Sequence, residues 1–117
     1  MKTAAILLAT LSLGCAAASA AAAASEHLTD VAYLQANRCR GLAAGLGVSD
    51  TGPLDSLIKT EGRSRLEMIY ARGQQEQERG KREASNEDSR QRLTAELNGP
   101  SCQAFLSGAK DVSATAR

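Results

Sequence analysis

The sequence predicts an all-α fold of three to four helices, with the last short helix tied to the first by a Cys39–Cys102 disulfide. Three observations carry this expectation. Apolar residues recur with helical period, residues that start and stop helices flank each such stretch, and nothing alternates with period two for long enough to make a strand. The 117 residues allow one small domain at most.

Residues 1–24 read as a signal peptide rather than as part of that domain. Lys2 opens the chain, an apolar run follows from Ala4 to Leu13, and Ala18-Ser19-Ala20 has the small-x-small pattern of a cleavage site, with further cut points to Ala24. The run is too short for a stable membrane anchor. Leu11-Ser12-Leu13-Gly14-Cys15 resembles a bacterial lipobox, although Ser12 stands where leucine is usual, so a lipid anchor on Cys15 is the alternative. No later stretch reaches the ~18 apolar residues of a spanning helix, and no transmembrane anchor is expected after processing. The expected address is the periplasm or the exterior.

The leader holds 18 of the 50 hydrophobic residues, which leaves 32 among the other 93. Leu, Ile, Val and Phe then number 16 of 93, below the ~20% at which disorder becomes a concern. Loss of Lys2 brings 13 basic residues against 13 acidic ones, and this neutrality removes the second condition for disorder. A thinly cored domain over residues 25–108 is expected, followed by a small, polar tail over 109–117. Cys39 and Cys102 remain as a pair, and in an exported chain such a pair reads as a bridge. Closing a loop of 63 positions stabilises the fold by roughly 4 kcal/mol in the chain-entropy picture.

The first helix is expected to start at Ser25, near Glu26 and Asp30. Leu28, Val31, Ala32, Cys39, Leu42, Ala43 and Leu46 fall on one stripe, and Gly45 and Gly47 end it. Residues 48–53 form a turn, with Pro53 suited to the first position of a second helix. There Leu54, Leu57, Ile58, Met68 and Ile69 make a thinner apolar face, and no proline interrupts residues 54–99. Glu61/Arg65 and Glu78/Arg82 have the order that supports a solvated helix. Gly62, Gly73 and Gly80 would lie within about 20° of one another on a single helix, and they mark either a side open to close approach by another helix or local weakness and breaks in a polar helix. Ser85, with Asp88 three residues on, suits a fresh start. Leu93 and Leu97 share the next face, Asn98-Gly99-Pro100 stops it, and Ser101 can cap a last helix that turns Cys102, Phe105 and Leu106 inward.

Few residues point to chemistry. Asp50-Thr51-Gly52 is the triplet of aspartic peptidases, in which two carboxylates share a proton, but it sits between helical segments without β context. His27 is the only histidine and Cys-x-x-Cys is absent, so zinc ligation and His-dependent nucleophilic catalysis lack partners. Gly41-x-x-x-Gly45-x-Gly47 lacks the Lys-Ser/Thr of a phosphate loop, and no Asp-x-Asp-x-Asp-Gly calcium loop occurs. Arg79-Gly80-Lys81-Arg82 is flanked by acids, and the balanced charge and three aromatics argue against nucleic acid. No cofactor or metal is expected. The expected function is that of a non-enzymatic periplasmic binding, adaptor or chaperone-like protein. Its envelope partner is unidentified; Gly62, Gly73, Gly80, Leu54, Leu57, Ile58 and Ile69 are the candidates for contact with that partner or for helix–helix contact within the fold. A small carboxylate hydrolase using Asp50, or a lipid-anchored envelope component, is the alternative.

Overall fold

The computed structural model describes residues 27–110. The leader, Cys15, Ser25, Glu26 and the tail beyond Lys110 lie outside them. Five helices follow in order: α1 Asp30–Gly45, α2 Gly52–Gly62, α3 Glu67–Ala84, α4 Glu87–Leu97 and α5 Pro100–Leu106. Among the described residues there is no strand.

Helix α1 begins later than Ser25. Thr29 is its N-cap and its hydroxyl accepts from the Ala32 amide at 3.1 Å, so His27 and Leu28 precede the helix. At the other end Gly47 adopts a positive φ of 78°, and the Gly47 and Val48 amides donate to Ala44 and Ala43. That pattern closes the last turn and needs a residue free to be left-handed. Gly45 lies inside the helix, where it serves packing rather than termination.

The predicted second helix is two. After Gly62 the chain turns through 63–66, where Ser64 Oγ donates to the Glu61 carbonyl at 3.1 Å and so diverts it from helical pairing. This turn accounts for the fifth helix. It also separates Gly62, on α2, from Gly73 and Gly80, on α3, so the three glycines do not share one helix. Pro53 stands second in α2 rather than first, Asn86 rather than Ser85 caps α4, and Gly99 rather than Ser101 caps α5. In α4 the Asn86 side chain accepts from the Asp88 amide at 3.1 Å.

Helices α1 and α3 run parallel and nearly touch. A Cβ on Gly41 would collide with the Gln77 carbonyl oxygen, and one on Gly45 would lie 2.6 Å from both the Lys81 carbonyl oxygen and Ala84 Cβ. From the other side, a Cβ on Gly80 would lie 3.0 Å from the Arg38 carbonyl oxygen, and one on Gly73 2.9 Å from Tyr33 Cε1 and Asn37 Nδ2. Gln77 Nε2 donates to Asn37 Oδ1 at 2.7 Å, and Asn37 Nδ2 donates to the Tyr33 carbonyl at 2.8 Å, so the buried amide is satisfied within the seam.

Helix α2 runs antiparallel to α1, as the Arg40–Asp55 and Leu28–Glu61 contacts show. Arg38 on α1 reaches Glu96 of α4 at 2.7 Å and Glu83 of α3 at 3.1 Å. The hydrogen bond to Glu96 is the main reason the guanidinium is held above its ordinary pKa. Desolvation pushes the Glu83 carboxyl up, but Arg38 and Arg79 outweigh it and hold the group below the usual range. Cys39 and Cys102 are bridged, which fixes α5 to α1. The core comprises Leu28, Tyr33, Ala36, Cys39, Leu42, Ala43, Leu54, Leu57, Ile58, Ala84, Leu93, Leu97, Cys102 and Phe105. Val31 and Met68, expected inside, are 73% and 79% exposed.

Gly41→Ala must separate the α1 and α3 backbones and is expected to cost at least about 3 kcal/mol. Nothing lies within 4 Å of a Cβ at Gly52, so Gly52→Ala is expected to be neutral or to stabilise by up to about 1 kcal/mol. Urea midpoints of the two variants test the contrast, and equal midpoints would contradict the close seam.

Candidate functional site

Polar side chains gather where α2 turns into α3. Glu61 ends fully buried because its helix packs that face against the residues leading into α1. Its Oε2 accepts from the Leu28 amide at 3.2 Å and from Arg65 Nη2 at 2.9 Å, with His27 Nδ1 at 3.6 Å. Lys110 Nζ lies 3.8 Å from the other oxygen, Oε1. Arg65 also donates to Asp30 Oδ1 at 2.7 Å and to the Leu28 carbonyl, and its guanidinium lies over the Tyr33 ring, 5.1 Å from the centroid. Glu61/Arg65, expected to support a solvated helix, is therefore an interior pair spanning a turn. The exposed pairs on α3 are Arg72–Glu76 and Arg79–Glu83, not Glu78/Arg82.

Three buried atoms near this pair have no hydrogen-bond partner among the described residues: Tyr33 Oη, Glu61 Oε1 and Arg65 Nε. Burial pushes the Tyr33 phenol above its ordinary pKa; the neighbouring Asn37 amide opposes this without reaching hydrogen-bond geometry. Tyr33 Oη lies directly behind Gly62, 3.0 Å from where a Cβ there would stand.

Two open surfaces flank α3. On one side a cleft of about 440 Å³ lies between α2 and α3, with Arg40 of α1 at its edge. Ile58 and Gly62 form its floor, and Lys59, Arg63, Tyr70, Gln74 and Gln77 line it together with Asp55. Asp55 is occupied by Arg40 and by the Thr51 hydroxyl, which donates to it at 3.2 Å. On the other side lies a shallow apolar groove made of two hollows that share Leu34 of α1: Met68, Ile69 and Ala71 of α3 line one, and Val31 of α1 lines the other. Its polar borders are Gln35, Arg38, Arg72, Gln75 and Glu76, and Leu66 stands 77% exposed at the same end of α3.

The residues singled out from the sequence divide among these places. Leu54, Leu57 and Ile58 are buried on α2, and Gly73 and Gly80 are covered by α1, which leaves no room there for a second protein. Ile69 is half-buried at the groove. Asp50 is exposed and makes no ion pair or side-chain hydrogen bond among the described residues, while Thr51 is buried beside it at the entry to α2. Sequence reasoning missed Arg40, Lys59, Arg63 and Tyr70. Lys59 and Arg63 stand in the last turn and at the C-cap of their helix, where the dipole favours cations, so their spacing alone gave no sign of a site. Among the described residues no helix is long and apolar enough to cross a membrane, and no group of three or more His, Cys, Asp or Glu could hold a metal ion.

No family model matches the chain, and neither a curated protein nor a solved structure matches it.

Glu61→Gln removes the charge opposite Arg65 while keeping the side chain's shape. It is expected to cost about 1–3 kcal/mol in a urea titration and to speed hydrogen exchange at the Leu28 amide. Wild-type stability and exchange would show that the carboxylate is not what holds the entry to α1.

Proposed function

We propose that the chain is an exported, non-enzymatic protein of the periplasm that binds an exposed apolar segment of another envelope protein, as an adaptor or chaperone does. The observation that carries this reading is the groove of Val31, Leu34, Met68 and Ile69. A domain with few large apolar residues would be expected to bury those it has. Here several stand in one contiguous outward-facing zone, and such zones mark interaction surfaces. The charges on its rim are already paired, Arg38 with Glu83 and Glu96 and Arg72 with Glu76. Recognition there rests on apolar contact rather than on a charge pattern. Residues 1–24 and the Cys39–Cys102 bridge support an oxidising, extracytoplasmic address. For the hydrolase alternative, Asp50 is exposed ahead of α2 and makes no ion pair or side-chain hydrogen bond among the described residues.

The uncharged dye Nile red and heat-unfolded citrate synthase serve as probes. The protein is expected to brighten the dye and to suppress light scattering by the client. Val31→Ser with Met68→Ser, both at exposed positions, is expected to weaken each effect about tenfold with an unchanged circular dichroism spectrum. A protein that does neither, or a variant that matches it, would overturn the reading.

The address is tested separately by expressing the full chain in a Gram-negative host. The mature protein is expected to start between Ala21 and Ser25 and to appear in the periplasmic fraction. A lipid-modified amino terminus at Cys15 would place it on a membrane instead, and an unprocessed cytoplasmic chain would refute export.

A further inference from the structure

We propose that the cleft between α2 and α3 binds a small organic anion, with a carboxylate or phosphate head against Lys59, Arg63 and Arg40 and a ring or apolar body against Tyr70 and Ile58. This site is separate from the apolar groove and independent of the reading based on it.

The charge balance of the cleft is the first support. Three cations line it against one carboxylate, Asp55, and that carboxylate is engaged by Arg40 and by the Thr51 hydroxyl. Lys59 and Arg63 make no ion pair or side-chain hydrogen bond among the described residues; Lys81, Arg82, Arg90 and Arg92 make none either, but of these six only Lys59 and Arg63 line this cleft. Lys59 and Arg63 stand four residues apart, one helical turn, so the two charges can close on one oxyanion. Gln74 and Gln77 add side-chain amides from α3.

The second support is the shape and lining of the cleft. Its volume of about 440 Å³ falls within the roughly 300–1,000 Å³ of small-molecule sites. Tyr70 is 46% exposed and presents its side chain as a wall, while Ile58 supplies an apolar floor. Gly62 is the thinnest part of that floor. Behind it lies the Tyr33 hydroxyl, buried and without a hydrogen-bond partner among the described residues. The cleft thus offers cations for a head group and apolar surface for a body.

Phenyl phosphate and phenylacetate probe the two head groups, and inorganic phosphate probes the head alone. Titrated into the ¹⁵N-labelled protein, the two aromatic anions are expected to shift amides in residues 58–63 and 70–77. Lys59→Gln and Arg63→Gln change exposed side chains without ion pairs, and each is expected to raise the dissociation constant about tenfold while the circular dichroism spectrum stays unchanged. Tighter binding of phenyl phosphate would assign the site to phosphate esters, and tighter binding of phenylacetate to carboxylates. The proposal is overturned by an absence of shifts up to about 10 mM probe. It is equally overturned if inorganic phosphate binds as tightly as the aromatic anions, or if the double variant binds as the wild type does.

Discussion

Everything in this fold is arranged around the seam in which α1 and α3 approach closely enough, at Gly41, Gly45 and Gly80, for backbone to meet backbone. Gly41 and Gly45 on one helix and Gly73 and Gly80 on the other clear the space. The approach supplies dispersion contacts that a chain with few large apolar residues cannot obtain by burying bulk. The Asn37 amide fixes the register, because its oxygen finds Gln77 only when the glycines are opposite backbone. A parallel pair also requires the chain to return between its members, and α2 is that return. The positions of α2, the Arg63–Leu66 turn and Glu61 follow from the seam.

Helix α3 is consequently a divider. One side of it faces the α1 flank and is apolar with neutralised borders. The other faces α2, where Lys59 and Arg63 make no ion pair among the described residues and Arg40 is paired with Asp55. These surfaces select differently: the first by area removed from water, with weak dependence on salt, and the second by charge, with strong dependence on it. The two proposed sites therefore share one helix but use different atoms.

The helical class and the tie between α1 and α5 were legible in the sequence, because both rest on local period and on the parity of cysteines. The stripe of Leu28, Ala32, Cys39, Leu42 and Ala43 was also readable, but Val31 was not separable from it, since helical period alone does not say where a stripe's edge meets solvent. The break at Arg63–Leu66 escaped notice because no proline marks it. It is made by Ser64 capturing a carbonyl and by Arg65 folding back to Glu61, both of which depend on tertiary placement. Buried Glu61 looked like one more surface acid. Gly41-x-x-x-Gly45 lacks the residues of a phosphate loop and Gly45 resembles a helix end, yet small residues at that spacing also describe a helix face made for close contact. The open cleft depends on three helices converging, and no single segment announces it.

The Cys39–Cys102 bond encloses α2, α3 and α4 in a covalent ring, while the entry to α1 and the segment after α5 meet beside Glu61. Tension applied through the two ends would pass along α1 as far as Cys39, cross the sulfur atoms and leave through α5. The ring would carry none of it as extension. The seam residues from Gly41 to Gly45, the whole of α3 and the floor of the cleft lie inside that ring. A pull on the termini would peel away the outer segments first, including the half of the seam over residues 33–38. The half around Gly41 and Gly45 would stay inside the ring until the sulfur bond was reduced.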